Sequence, residues 1–136
     1  MKALSVRQPW AWLIVAGFKD IENRTWPTAF RGRIYVHAGQ QEDRGFVLPV
    51  AVRLPKAAMD KVWRLWQYRT SNPTQFGAIV GEVDIVDCVT ESTSPWFENV
   101  GAYGFVLRNP RAYAVPIPMR GMLGLFDVTL PMEATP

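Results

Sequence analysis

Eleven prolines and ten glycines divide this chain of 136 residues into short pieces. Proline inside a helix removes a hydrogen bond and clashes with the preceding turn, and inside a sheet it is confined to edges and bulges. A chain punctuated this densely is assembled from many short elements rather than from long helices. No uninterrupted apolar run approaches ~20 residues, so no membrane-spanning helix is expected. The opening MKALSV runs straight into the domain without the apolar h-region and cleavage site of a secretory leader. The expectation is a soluble, cytoplasmic protein with no membrane partner.

With 49% hydrophobic and 20% charged residues, the chain has enough apolar mass for a real core and is not of a disordered composition. Its length suits one domain over residues 1–136, since single domains commonly run ~100–150 residues. The formal net charge of +3 is mildly basic and compatible with an anionic partner. Arg7, Arg24, Arg31 and Arg33 weight the first half. The single cysteine, Cys88, excludes an internal disulfide and a multi-cysteine metal site; its apolar setting, IVDCV, suits a small core residue.

Leu4–Val6 reads as a short strand. Pro9 then suits the first turn of a helix over Trp10–Ala16, apolar nearly all round and so mostly buried, with Gly17 as its C-terminal cap. Asp20–Arg24 reads as extended, and Trp26-Pro27-Thr28 as a loop. Arg33–His37 alternates as a strand does, with Ile34 and Val36 on one face and Arg33, Tyr35 and His37 on the other. Gln40–Leu54 is expected to be a helix broken at Pro49. A second helix is predicted over Pro55–Tyr68, with Ala58, Val62, Leu65 and Trp66 inward. Ser71–Thr74 is a turn, and Ala78–Val89 a long strand. Tyr103–Tyr113 is a strand interrupted at Asn109-Pro110, Val115–Pro118 an irregular connection, Gly124–Leu130 the last strand and Pro131–Pro136 a tail. The sum is a small α+β domain on a curled sheet or barrel.

Chemistry concentrates between Leu4 and Gly39. Lys19, Glu22 and Arg24 fall within six residues. In a strand Glu22 and Arg24 share a face, so Lys19 joins them only across a bend, which Gly17 permits. A carboxylate beside arginine holds the guanidinium as a rigid fork for phosphate or a base edge. The alternative is an ordinary surface ion pair of little energetic worth. Trp10 and Trp26 stand near this charge; Trp26, in a loop beside Pro27, best suits base stacking, Trp10 suits either stacking or the core, and Trp12, Trp63, Trp66 and Trp96 suit packing. His37, the one histidine, is a hydrogen-bonding wall residue or a satisfied core residue; with no partners spaced as ligands it does not make a metal site. Glu82 is either an outward residue of its strand or an acid or base whose pKa rises in a barrel mouth. Arg120 precedes Gly121 and is placed to close a cleft, whereas Arg31 and Arg33 suit phosphate attraction from its rim.

Several of these residues carry a resemblance. Gln8-Pro9-Trp10, Gly17-x-Lys19-x-x-Glu22-x-Arg24, Arg31-Gly32-Arg33 leading to His37-Ala38, Gly81-Glu82-Val83, Tyr103-Gly104-Phe105, Arg120-Gly121 and Gly124-Leu125-Phe126 occur in the order of an ASCH domain, a branch of the PUA-like superfamily. The resemblance covers almost the whole chain and is weakest over Gln40–Gln75. It implies a β-barrel of five to six strands with two to three flanking helices, and RNA or other nucleic-acid binding in a cleft beside the first helix. Some ASCH proteins are amidohydrolases acting on N4-acetylcytidine with a pattern similar to Lys-x-x-Thr-x-Arg and a later glutamate. Here Lys19 and Arg24 match, but Glu22 stands at the threonine position and removes the expected hydroxyl. Other relatives have been proposed as ribonucleases.

The leading expectation is a nucleic-acid-binding domain, RNA preferred, with a cleft lined by Gln8, Trp10, Lys19, Glu22, Arg24, Trp26, His37 and Arg120. The alternative is a hydrolase of RNA or of a modified nucleoside using Lys19 with Glu22 or Glu82. A third reading is a small-ligand or modified-base sensor without turnover. No cofactor or metal is expected.

Overall fold

The computed structural model describes residues 1–67, 71–98 and 102–130. The elements are β1 (Lys2–Gln8), α1 (Trp10–Val15), β2 (Ile21–Arg24), β3 (Gly32–Glu42), α2 (Lys56–Gln67), a 3-10 turn (Pro73–Gln75), β4 (Ala78–Val89), β5 (Tyr103–Pro118) and β6 (Leu125–Asp127). All six strands join one sheet in the order β2-β5-β4-β3-β1-β6, with β1 parallel to β3 and every other neighbour antiparallel.

The expected α+β class is present, but the expected barrel does not close. β2 and β6 end the sheet and no ladder joins them. Each is too short to zip a seam: four residues of β2 pair with β5, and three of β6 with β1. A side chain bridges the gap instead, where Arg24 Nη2 donates to the Ser5 carbonyl of β1 at 2.8 Å. The candidate site lies along this open side.

The helix α1 is short because both ends are fixed by its sequence. Pro9 has no N–H to lose at the start, and the Gln8 side chain accepts the otherwise orphaned N–H of Trp12 at 2.9 Å. At the other end Gly17 takes φ +89°, and the amides of Phe18 and Lys19 both return to the Leu13 carbonyl. Ala11, Leu13, Ile14 and Val15 are buried. Ile14 and Val15 join Leu4, Val6, Ile34, Val36, Val83, Ile85, Phe105 and Leu107 in the main core. Burying each such side chain contributes ~1.5–3 kcal/mol before entropy is counted. Cys88 is half-buried against this core. Leu13, Ile21, Val52, Val62 and Trp96 form a second cluster under α2.

Four expectations need correction. Gln40–Leu54 is not a broken helix: β3 runs on to Glu42, and a loop follows as far as α2. Val115–Pro118 is not an irregular connection. β5 continues through it, with Ile117 opposite Ile79 and Pro118 opposite Ala78. The reason is the length of β2, which covers only Tyr103–Val106; beyond that β5 is an edge, where proline's missing donor costs nothing. Asn109-Pro110 is absorbed as a bulge, with Asn109 at φ +55°. Trp63 does not pack inward but lies 48% exposed, edge-on to half-buried Trp66. Gly124–Leu130 contributes only Leu125–Asp127 to the sheet. The predicted second helix holds over Lys56–Gln67, whereas Tyr68 and the expected tail Pro131–Pro136 fall outside the described residues. No helix among the described residues is long and apolar enough to cross a membrane.

Candidate functional site

The bend at Gly17 turns the chain so that Lys19 meets the next strand from below. In β2, period-two alternation sets Glu22 and Arg24 on one face. Lys19 Nζ lies 2.8 Å from Glu22 Oε1 and also donates to the Ile21 carbonyl. Arg24 grips Glu22 Oε2 through Nη2 at 2.8 Å and Nε at 3.2 Å. One carboxylate therefore stands between two cations. Lys19 and Glu22 are only 5% and 8% exposed, so this is no surface ion pair. Burial pushes the Glu22 pKa up, but the charges and hydrogen bonds of Lys19 and Arg24 outweigh it and hold the group ionised below its usual range.

These three residues line a cleft of about 1200 Å³ on the open side of the sheet. Trp10 forms part of its wall. The indole donates to Asp43 Oδ2 at 2.7 Å, meets Trp96 edge-on at 6.3 Å, and has Lys19 Nζ 5.6 Å from its ring centre. Half-buried Trp26 lines the cleft and packs edge-on against Phe105 at 5.2 Å. His37 lies in the wall at 1% exposure, with Nε2 2.6 Å from the Met119 carbonyl and Nδ1 2.9 Å from Ser5 Oγ. The carbonyl can only accept, so Nε2 carries the proton and Nδ1 accepts from the serine hydroxyl. Burial lowers the His37 pKa, against a smaller opposing pull from the Met119 carbonyl, and favours this neutral ring. Arg120 is exposed on the cleft.

The structure brings together Trp10, Lys19, Glu22, Arg24, Trp26, His37 and Arg120, and removes four residues from the expected set. Gln8 is fully buried beside the cleft, with Nε2 bonded to the Gln75 carbonyl at 2.9 Å and Oε1 to Trp12, so both ends of its amide are used by the fold. Arg31 is exposed away from the cleft, donating to the carbonyls of Thr28 and Phe30. Arg33 sits opposite Asp84 across the β3–β4 ladder, and that cross-strand pairing claims it. Its Nε meets Glu82 Oε1 at 2.8 Å and its Nη1 meets Asp84 Oδ1 at 3.1 Å and the Asn109 carbonyl at 2.6 Å.

Glu82 is the fourth. It does not line the cleft, and Tyr113 donates its hydroxyl to the second carboxylate oxygen. The expected rise in its pKa is reversed: burial pushes it up, but Tyr113, Arg33 and the Arg111 charge bring it below the usual value. Among the described residues no three His, Cys, Asp or Glu side chains converge as a metal site requires.

Sequence reasoning passed over Arg7 and Asp43 as site residues. Arg7 is exposed, lines the cleft and forms no hydrogen bond or ion pair among the described residues. It stands two residues after Ser5 in β1, on the same face, but nothing in the sequence marked Ser5 as a cleft residue. Asp43 reaches Trp10 only through tertiary folding, and no local pattern announces it. Chemically the site offers fixed cations, half-buried indoles and a neutral imidazole, and a carboxylate with both oxygens engaged.

The ASCH domain family is matched over residues 4–120. Activating signal cointegrator 1 of Homo sapiens is 30% identical over 124 residues, 87% of this chain, and the Mus musculus protein of that name is 29% identical over the same length. The chain spans only 20% of the length of each of these curated relatives. Among solved structures, the crystal structure of ASCH from Zymomonas mobilis superposes with a TM-score of 0.52 at 17% identity, covering 98% of this chain and 89% of that one, which is a likeness of fold. The match over residues 4–120 and the human relative together show that the chain belongs to the ASCH domain family.

Proposed function

We propose that residues 1–136 act as one RNA-binding domain whose cleft holds a short single-stranded stretch without turning it over. The observation that carries this is the pair of exposed guanidiniums, Arg7 and Arg120, unpaired among the described residues, beside an Arg24 fixed in place by buried Glu22. Four cations and three carboxylates line the cleft, but Glu22 and Asp43 are already engaged within it. The cationic side chains left free suit phosphates, and Trp10 and Trp26 suit bases. The cleft volume of about 1200 Å³ exceeds the ~300–1,000 Å³ of typical small-molecule pockets, which favours a polymer segment over a free nucleoside. The resemblance to ASCH domains implies the same ligand class.

A hydrolytic role has less support. Turnover through Glu22 needs a carboxylate free to exchange a proton, and both of its oxygens are held. Glu82 lies outside the cleft in a separate network.

The test is a titration of labelled single-stranded RNA, duplex DNA and N4-acetylcytidine, read for both retention and products. Single-stranded RNA is expected to bind best, with affinity falling as salt rises. Arg24→Ala, checked by melting to be folded, is expected to bind about tenfold more weakly, equivalent to ~1.4 kcal/mol. RNA affinity absent at low salt, or unchanged in the variant, overturns the reading; Glu22-dependent products overturn the absence of turnover.

A further inference from the structure

Two apolar side chains at the cleft mouth have no role so far. Met122 and Leu123 are 64% and 98% exposed, and both line the cleft. Isolated exposed apolar residues are ordinary on a protein surface. These two differ because they are consecutive, border the candidate site and stand on a loop pinned at both ends.

Before the pair, Met119 N–H donates to the Gly77 carbonyl at 3.0 Å, and the Met119 carbonyl accepts from His37 at 2.6 Å. Gly121 lies so close to the imidazole that a Cβ there would stand 2.7 Å from His37 Cε1. After the pair, Gly124 takes φ +67°, and Leu125–Asp127 enters the ladder with β1. The pinned ends leave Met122 and Leu123 projecting from the cleft edge.

We propose that Met122 and Leu123 form an apolar wedge that takes up an unstacked base of the bound single strand. The inference rests on the RNA-binding reading and adds a contact residue pair and a basis for strand selectivity. Apolar side chains of this kind are inserted between base steps by nucleic-acid-binding proteins, and in a duplex the bases must first be unstacked. A single strand is only partly stacked and has no partner strand, so its penalty is smaller and the wedge favours it over a duplex. The contact is made to the base, so it is independent of the counterions released at phosphates.

The test uses the full chain and the variants Leu123→Ser, Met122→Ser/Leu123→Ser and Leu123→Met, with a single-stranded RNA, the same strand carrying abasic positions, and duplex RNA as probes. The double variant is expected to melt with the wild-type protein, because its side chains are exposed, and to lose about fivefold in affinity for the intact strand. The slope of log affinity against log salt is expected to be unchanged, the abasic strand to show no difference between variant and wild type, and Leu123→Met to retain binding. Wild-type affinity in the double variant overturns the wedge and leaves the RNA reading standing. A reduced salt slope also overturns it, because the loop would then act through cations. If the wild-type protein binds no RNA, the underlying reading falls and the wedge with it.

Discussion

Two charge clusters in this protein are built as inverses. In the cleft one carboxylate, Glu22, stands between two cations, Lys19 and Arg24. On the β3–β4 ladder one guanidinium, Arg33, stands between two carboxylates, Glu82 and Asp84. The second cluster is closed: Tyr113 holds the remaining oxygen of Glu82, Asn109 donates to Asp84, and Arg33 also donates to the Asn109 carbonyl. The first is open. Arg24 Nη1 makes no hydrogen bond among the described residues, and the excess charge is positive. The inverse ratio of charges gives the two clusters different uses. A closed cluster, with its carboxylates fully engaged and Arg111 opposite Glu82 on the next strand, staples a sheet, whereas a buried carboxylate in an open one fixes cations for a ligand.

The largest contrast lies in stability. Glu22→Ala strands two cations, one of them buried, and is expected to cost about 3–5 kcal/mol in urea unfolding. Glu82→Ala, in a partly solvated cluster, is expected to cost nearer ~1 kcal/mol. Equal losses would erase the distinction between the clusters. Next comes binding, where Arg33→Ala is expected to leave RNA affinity within about twofold while Arg24→Ala loses about tenfold. A comparable loss from Arg33→Ala would move the interface to the β3–β4 face.

The pH effects are smaller. The pKa of Glu22 in the folded protein lies below its usual 4.5, so its contribution to stability is present above that pH and drains as the pH falls through the folded value. The same sign holds for Glu82 and Asp84. His37 is also depressed, below 6.5, and the unfolded chain takes up that proton first. Stability measured by urea unfolding should therefore decline as pH falls below about 6.5, and His37→Gln should remove that part of the slope. A slope unchanged by the substitution would assign it to other groups.

Local chemistry made much of this legible. Pro9 and Gly17 bracket α1 because each acts on its own backbone, and the alternation in Ala78–Val89 yields β4 with the predicted bounds. The bend that Lys19 requires was visible in Gly17 for the same reason. What could not be read depends on distant partners. The prolines of β5 are tolerated because β2, some eighty residues earlier, is short enough to leave them on an edge. Gln8 looked like a ligand residue, but its amide is spent on Trp12 and on Gln75 from another part of the chain. Glu82 and Arg33 resembled an acid–base group and a rim cation until the ladder register set their strands side by side. Barrel closure failed on the lengths of two terminal strands, which no motif encodes.

The central claim is that the position of the free cations, rather than net charge, makes the binding surface. The direct test is the salt dependence of single-stranded RNA affinity in Arg7→Ala/Arg120→Ala, set against Arg108→Ala/Arg111→Ala on β5, which removes equal charge outside the cleft. The account predicts a slope of log affinity against log salt shallower by roughly 1.4–2 for the cleft pair, and unchanged for the β5 pair. Equal slope changes in the two proteins, or a larger one from the β5 pair, would contradict it.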